Sequence, residues 1–428
     1  MRRIVIVTVL ALFVIAVLLQ HGYPLSAQAQ NQASVQSFVN VSWQAGIRDN
    51  RVASTEQAMG QAWGDYDNDG WLDLYVTDPK SRNTLYHNNG DGTFTVSPLA
   101  EQVALPQSHS SGATFADYDN DGWKDLFVAN WGQNSLFHNQ GGQGFVEVAR
   151  RAGLMHEANH KLGSWGDFNQ DGWLDLYVTN WSCYPECGRP MEGDTDRLYQ
   201  NNGDGTFTDV TRYLSSGVNG AGFVASFQDY DNDNDLDIYL VNDEYINGIG
   251  NMLWRNDGMG CQGWCFTQVA QEAGANSKLF GMGLAVGDYD NDQDLDYYFS
   301  NVGPMELLQN QGDGTFVNVA PQAGVEVPMG IGWGALFLDY DNDGWQDLYL
   351  ALMDTANHEG IAANPLFRNN ADGTFTQISC GNEAADVRLS MGVASADYDQ
   401  DGWVDLVVGN LDEGYRLYRN RTGDHSAN

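Results

Sequence analysis

Basic side chains are scarce in this chain. Twenty lysines and arginines stand against 57 aspartates and glutamates, for a net charge of −37. Such a chain repels phosphate backbones and anionic lipid, which excludes nucleic acid and anionic membrane surfaces as partners. Long apolar runs are also missing after residue 19, so no later stretch crosses a membrane as a helix. Cysteine is sparse, at five. No nucleophile elbow, phosphate-binding loop or dinucleotide fingerprint stands in a strand-to-helix setting. What is plentiful is aromatic and aliphatic surface. Hydrophobic residues make up 42% of 428, enough for one large domain with a substantial core.

The acid is not spread evenly. Asp65-Tyr66-Asp67-Asn68-Asp69-Gly70-Trp71-Leu72-Asp73 recurs, with starts at Asp117, Asp167, Asp229, Asp288, Asp339 and Asp397. The seven copies begin 52, 50, 62, 59, 51 and 58 residues apart. A period near 50 residues with strand-like flanks marks a propeller.

Within each copy, carboxylates occupy positions one, three, five and nine. These are Asp65, Asp67, Asp69 and Asp73, then Asp117, Asp119, Asp121 and Asp125. The third copy has Asp167, Asn169, Asp171 and Asp175, and the fourth Asp229, Asp231, Asp233 and Asp237. Asp288, Asp290, Asp292 and Asp296 follow, then Asp339, Asp341, Asp343 and Asp347, and finally Asp397, Asp399, Asp401 and Asp405. Four carboxylates within nine residues repel one another unless a cation lies between them. A flexible, oxygen-only, acid-rich loop suits Ca²⁺ better than Mg²⁺, which keeps several waters. Up to seven Ca²⁺ ions are therefore expected. The plainer reading, that Asp and Asn only form turns, leaves the accumulated repulsion of seven such loops unanswered. Gly70 at position six permits a sharp turn, and the carbonyl of Trp71 can add a further oxygen. Asn234 and Gln293 replace that glycine in copies four and five, and Asp235 and Asp294 replace the tryptophan. Gln tolerates left-handed backbone less well than Asn, so the Gln293 loop is expected to bind most weakly.

Each repeat reads as four short strands. Gly60-Gln61-Ala62-Trp63-Gly64 enters the loop. Leu72, Leu74 and Val76 alternate with Asp73, Tyr75 and Thr77 after it. Leu85-Tyr86-His87-Asn88 forms a third strand, and the hairpin Asn89-Gly90-Asp91-Gly92 leads to a fourth at Thr93-Phe94. Fourth-strand phenylalanines recur at Phe94, Phe145, Phe207, Phe266, Phe316 and Phe375, and the seventh repeat has none. Phe38-Val39-Asn40-Val41 matches Phe316-Val317-Asn318-Val319 and supplies the missing strand. The expected fold is all-β, a seven-bladed propeller whose N-terminal strand completes the last blade and removes the open edge.

The domain limits follow. Residues 1–29 read as a signal peptide: Arg2 and Arg3, an apolar core from Ile4 to Leu19, and a small-x-small site at Ala27-Gln28-Ala29. An uncleaved anchor is the alternative. Residues 30–37 form a polar leader, 38–420 the propeller and 421–428 a tail. Cleavage takes the net charge to −39, and seven divalent ions return it to −25. A secreted, periplasmic or extracellular location also suits the cysteines. Cys183 with Cys187, and Cys261 with Cys265, are spaced for local disulfides, or in principle for zinc, with Cys380 left over.

Other constellations are weaker. His156-Glu157-Ala158-Asn159-His160 matches the zinc-protease pattern H-E-x-x-H, which needs a helix, yet it lies between Gly153 and Gly163 in a connection joining two blades. His87 and His138 hold third-strand positions filled elsewhere by Gln200, Arg255 or Gln309, which reads as a solvated outer position. Trp71, Trp123, Trp173, Trp345 and Trp403 repeat at loop position seven, which favours packing between blades over sugar stacking. Trp131 and Trp181 instead follow the second strand. Loops 180–197, 242–252 and 351–365 vary between repeats, on the face opposite the calcium loops, where a ligand site is expected.

The motif and its order resemble the FG-GAP/VCBS repeat family, the propeller also found in integrin α-chain heads. The wording of the loop and of the Asn-Gly-Asp-Gly-Thr-Phe hairpin is most similar to the cartilage acidic protein family and its bacterial relatives, which often carry a C-terminal ASPIC/UnbV domain. The resemblance implies calcium-stabilised binding or adhesion toward a protein or glycan ligand, and carries its calcium ligands onto the seven loops. A polysaccharide lyase or hydrolase is the alternative, with Arg189, Tyr184 and His160 as candidate groups. A structural partner of other exported subunits is a third reading.

Overall fold

The computed structural model describes residues 37–47, 60–182, 193–215, 220–244, 248–261, 263–328, 330–353, 363–378, 382–411 and 414–425. The leader readings, Cys183, Cys187, Cys380, Tyr184 and Arg189 lie outside them. No helix among the described residues is long and apolar enough to cross a membrane.

The chain is all-β. Its first repeat shows the plan: β2 (Gln61–Gly64), β3 (Asp73–Val76), β4 (Thr84–Asn88) and β5 (Phe94–Val96) form one antiparallel meander. The same four-strand plan repeats, giving seven four-stranded units among the described residues. Two of them, the second and third, merge into one eight-stranded sheet where Glu157–Asn159 pairs with Trp131–Gln133. The last unit takes its outer strand from the N-terminus. β1 (Phe38–Asn40) pairs with Gly414–Asn420, Phe38 opposite Asn420 and Asn40 opposite Tyr418.

The alternation along the second strand serves two cores rather than a core and solvent. Asp73–Val76 is buried at every position. Tyr75 packs with Leu126 and Val128 of the second unit, whereas Leu74 and Val76 pack with Val407 and Leu417 of the seventh. Seven apolar cores of this kind fill the gaps between consecutive units, and the one holding Leu74 joins the last unit to the first. Phe38 is fully buried in the core between units six and seven, beside Leu338, Tyr349 and Tyr418. The fourth-strand phenylalanines are likewise buried, which explains their recurrence.

First strands approach closely around the centre. A Cβ on Gly60 would lie 2.4 Å from the Ser111 carbonyl oxygen, and one on Gly283 would lie 1.8 Å from that of Trp333. Glycine there is a requirement of backbone approach.

Candidate metal centres

Each acidic loop joins the first strand to the second at one end of its unit. Its turn needs two left-handed residues, not one. Position six is left-handed at Gly70 (φ 93°) and also at Asn234 (70°) and Gln293 (77°). Position four is left-handed in all seven loops, from Asn68 (56°) to Gln400 (54°). Asn and Gln fill position four throughout, a regularity visible in the sequence but not used there.

The loop's backbone N–H groups engage three of its four carboxylates. In the first loop, Asp65 accepts from Asp69 N (3.1 Å) and Gly70 N (2.9 Å). Asp69 accepts from Trp71 N (2.9 Å), and Asp73 accepts from Tyr66 N (3.1 Å) and Asn88 N (2.8 Å). Turn bonding therefore accounts for positions one, five and nine. Position three is different. Oδ1 of Asp67, Asp119, Asp231, Asp290, Asp341 and Asp399 is buried with no hydrogen-bond donor. The exception is Asn169, whose Oδ1 accepts from Asp171 N. Six buried carboxylate oxygens at one repeated position have no donor of their own, which is costly unless a cation answers them.

The surroundings add to that cost. Oxygens of Asp65, Asp67 and Asp73 lie within 4.8 Å of one another, as do those of Asp229, Asp231 and Asp237. Burial pushes the position-nine carboxyls, Asp73 and its six equivalents, up to about 8 despite their backbone bonds. Burial, then the neighbouring position-five carboxylate, also raises Asp67 and Asp119. The donor set is oxygen-rich and charge-rich, as a hard divalent cation requires.

The third-strand position is partly solvated, as expected, but it does not point outward. His87 Nδ1 lies 3.2 Å from Asp67 Oδ2, and His138 Nδ1 lies 3.1 Å from Asp119 Oδ2. Gln309 donates to Asp290 Oδ2 (2.5 Å). Arg368 pairs with Asp341 (2.6 Å) and Asp343 (3.0 Å), and Arg419 with Asp399 (2.6 Å) and Asp401 (2.8 Å). The sequence equivalence was real, but strand pleating turns this side chain onto its own loop.

Two hydrogen-bond cycles link the loops. Each position-four side chain reaches the next loop: Asn68 to Gly122 O, Asn120 to Gly172 O, and Gln170 to Asn234 O. Asn232 donates to Asp294 Oδ1, Asn291 to Gly344 O, Asn342 to Gly402 O, and Gln400 to Gly70 O, which closes the cycle. The second cycle runs the other way. The asparagine ending each third strand donates to the position-two carbonyl of the preceding loop, as Asn139 does to Tyr66 O and Asn88 to Tyr398 O.

Position-seven tryptophans lie against the hairpin of their own unit. A Cβ on the hairpin Gly90 would meet Trp71 at 2.7 Å, and one on Gly203 would meet Trp173 at 2.9 Å. The H-E-x-x-H stretch is strand, not loop or helix, from Glu157 onward. His160 is buried, and its Nδ1 bonds the Asn130 carbonyl (3.0 Å), so that nitrogen carries the proton. His160 Nε2 then accepts from His156 Nδ1 (3.2 Å), and His156 Nε2 accepts from Arg197 (2.7 Å). Burial holds His160 down to about 3. Both imidazoles are spent on one another, and Glu157 is exposed. Cys261 and Cys265 form a disulfide, as their spacing suggested.

A cycle of four-stranded units with acidic loops at one end defines a β-propeller repeat protein. The chain belongs to the FG-GAP-like repeat family, whose repeats match residues 65–128, 117–178, 167–240, 229–299, 288–350 and 339–408. Cartilage acidic protein 1 of Xenopus tropicalis is 31% identical over 150 residues, 34% of this chain and 22% of that protein. The Homo sapiens protein is 30% identical over 152 residues, 33% and 21% of the two chains. The aligned region thus spans about a fifth of these relatives' length. Among solved structures, BBS1N, crystallised with ARL6DN, superposes with a TM-score of 0.52 at 10% identity, over 88% of this chain and 94% of that one.

Proposed function

We propose that this chain is an exported, calcium-stabilised, seven-bladed propeller that serves as a binding module for a protein or glycan. The observation that carries the calcium reading is the donorless, buried Oδ1 at position three of six loops. Positions one, three, five and nine would hold the ion, with Asn169 replacing one carboxylate in the third loop. Calcium would supply charge neutralisation: it answers oxygens that the backbone leaves unmet and fastens the first strand to the second. Export accords with the disulfide, since disulfides persist in oxidising compartments.

The binding reading rests on where variation falls. The acidic loops share one geometry at one end of the units. At the other end the connections differ in length, and Trp131 is exposed there beside His109. A constant scaffold with variable loops is the ordinary geometry of recognition.

Two measurements test this. Calorimetric titration of calcium into chelator-stripped protein should show several sites and a higher melting temperature; absence of calcium heat from folded protein would remove the metal from the reading. A glycan array probed in calcium and in EGTA should show calcium-dependent binding for a glycan ligand. A blank array with folded protein removes the glycan and leaves a protein ligand, to be sought by pull-down from the native envelope. Failure of both removes the binding module.

A further inference from the structure

The seven first strands surround an axial cavity of about 220 Å³. Six residues before each acidic loop, the described strands place Ser111, Lys161, Phe223, Met282, Trp333 and Met391 on its wall. That ring lies toward the end away from the acidic loops. Around it the wall is apolar or glycine backbone, with the Gln61 amide as a further polar group. Lys161 is the only charged residue on it among the described residues, in a protein of net charge −37 with four lysines.

Two donors stand on this wall. The Lys161 ammonium sits over the Trp181 ring at 4.9 Å and the Phe223 ring at 5.6 Å, with no hydrogen-bond acceptor or ion-pair partner among the described residues. Aromatic faces attract the charge but leave its N–H groups unanswered. Asp243, whose carboxylate accepts from Trp181 Nε1 (2.9 Å), favours the charged form, while burial opposes it and takes Lys161 down to about 8. The second donor is Trp333, 4% exposed, whose buried indole N–H has no partner. Its ring stands 5.7 Å from that of Phe223, edge to face, in an apolar cluster with Met282 and Met391. A buried donor without an acceptor is costly, and the Trp333 N–H together with a half-buried ammonium on one cavity wall marks a place for an acceptor-rich group.

We propose that the axial cavity is a binding site for a small carboxylate with an apolar body. The carboxylate accepts from Lys161 and Trp333, and the body lies against Phe223, Met282 and Met391. The volume limits the ligand to roughly ten non-hydrogen atoms, given that a cavity of about 150 Å³ holds benzene. This site is independent of the ligand at the variable loops.

The test uses phenylacetate and its neutral isostere phenylacetamide, titrated calorimetrically into the full chain at constant calcium. Phenylacetate should bind saturably at one site, and the amide at least tenfold more weakly. Lys161→Met keeps most of the stem and should lower phenylacetate affinity at least tenfold, leaving the amide within twofold. Trp333→Phe should weaken the acid several-fold. Equal binding of acid and amide, or no saturable binding of phenylacetate to folded protein at tens of millimolar, overturns the proposal. The acid-to-amide comparison on the unaltered protein decides the matter even if a variant fails to fold.

Discussion

Position three of the acidic loop gives a test in which the sign of an effect changes. Consider Asp67→Asn, Asp231→Asn and Asp341→Asn together, in three non-adjacent loops. Without metal, each aspartate keeps a charged oxygen buried and unbonded among like charges. A buried unsatisfied group costs about 1–3 kcal/mol. The side chains are partly exposed, and His87, Arg255 or Arg368 offsets part of the charge, so the lower end applies. Neutralising each should therefore stabilise the chelator-stripped protein by about 0.5–1 kcal/mol. In calcium the same change removes a charged ligand. A tenfold weaker site is worth about 1.4 kcal/mol of lost linkage when calcium is in excess. The triple variant should therefore melt above the parent in EGTA and below it in 5 mM calcium. The gap should be a few degrees each way, since about 1 kcal/mol moves a domain of this size by roughly 1–2 °C. Equal shifts of one sign in both buffers would mean that the loops are turns alone. Asn169 already carries the substituted residue, so Asn169→Asp in the third loop should behave inversely.

The remaining predictions concern single side chains. Phe38→Ala empties a fully buried site and should cost about 3–5 kcal/mol by urea denaturation, matching Phe316→Ala; a cost under about 1 kcal/mol would mean that β1 does not close the last unit. Gln293→Gly relieves a left-handed backbone (φ 77°) and should raise stability by a few tenths to about 1 kcal/mol while tightening calcium at that loop; a lower melting temperature would show that the Gln293 side chain matters more than its backbone. Arg368→Gln removes a guanidinium from Asp341 and Asp343 and should tighten calcium at the sixth loop about fivefold, for roughly 1 kcal/mol of relieved repulsion. Unchanged affinity would mean that Arg368 swings clear when the ion binds.

The repeat made most of this fold legible. Seven copies of one motif fixed the unit, and the buried phenylalanine at each fourth strand exposed the gap that Phe38 fills. What escaped was contact between units. The sequence shows that Leu74 and Tyr75 point opposite ways, but not that both sides face protein. His87 and Arg368 occupy equivalent positions, yet equivalence says nothing about which way a pleat turns them. Asn68 is an ordinary turn residue in its local sequence, yet its bond to Gly122 crosses 54 residues. The regular Asn or Gln at position four was the available signal. The cavity around Lys161 was less legible still. It depends on six described residues at the same register of six different strands, where only the ring brings them together.

The two cycles of hydrogen bonds bear on how calcium and recognition could be coupled. Each loop reaches the next loop through position four and is held in return by that same neighbour's third-strand asparagine. Losing an ion from one loop therefore disturbs the carbonyl that the preceding loop bonds, and through the shared core the next unit as well. The variable connections stand at the far ends of the same strands and make none of these bonds. Their sequences can change without altering the cage, whereas a change at position four touches two loops at once. Calcium would then act on a ligand at the far face only through strand order, never by direct contact. A ligand whose affinity fell on chelation should for that reason lose it together with unfolding of the ring, at one calcium concentration, and a loss of binding well ahead of any loss of β-structure would place an ion at the binding face itself.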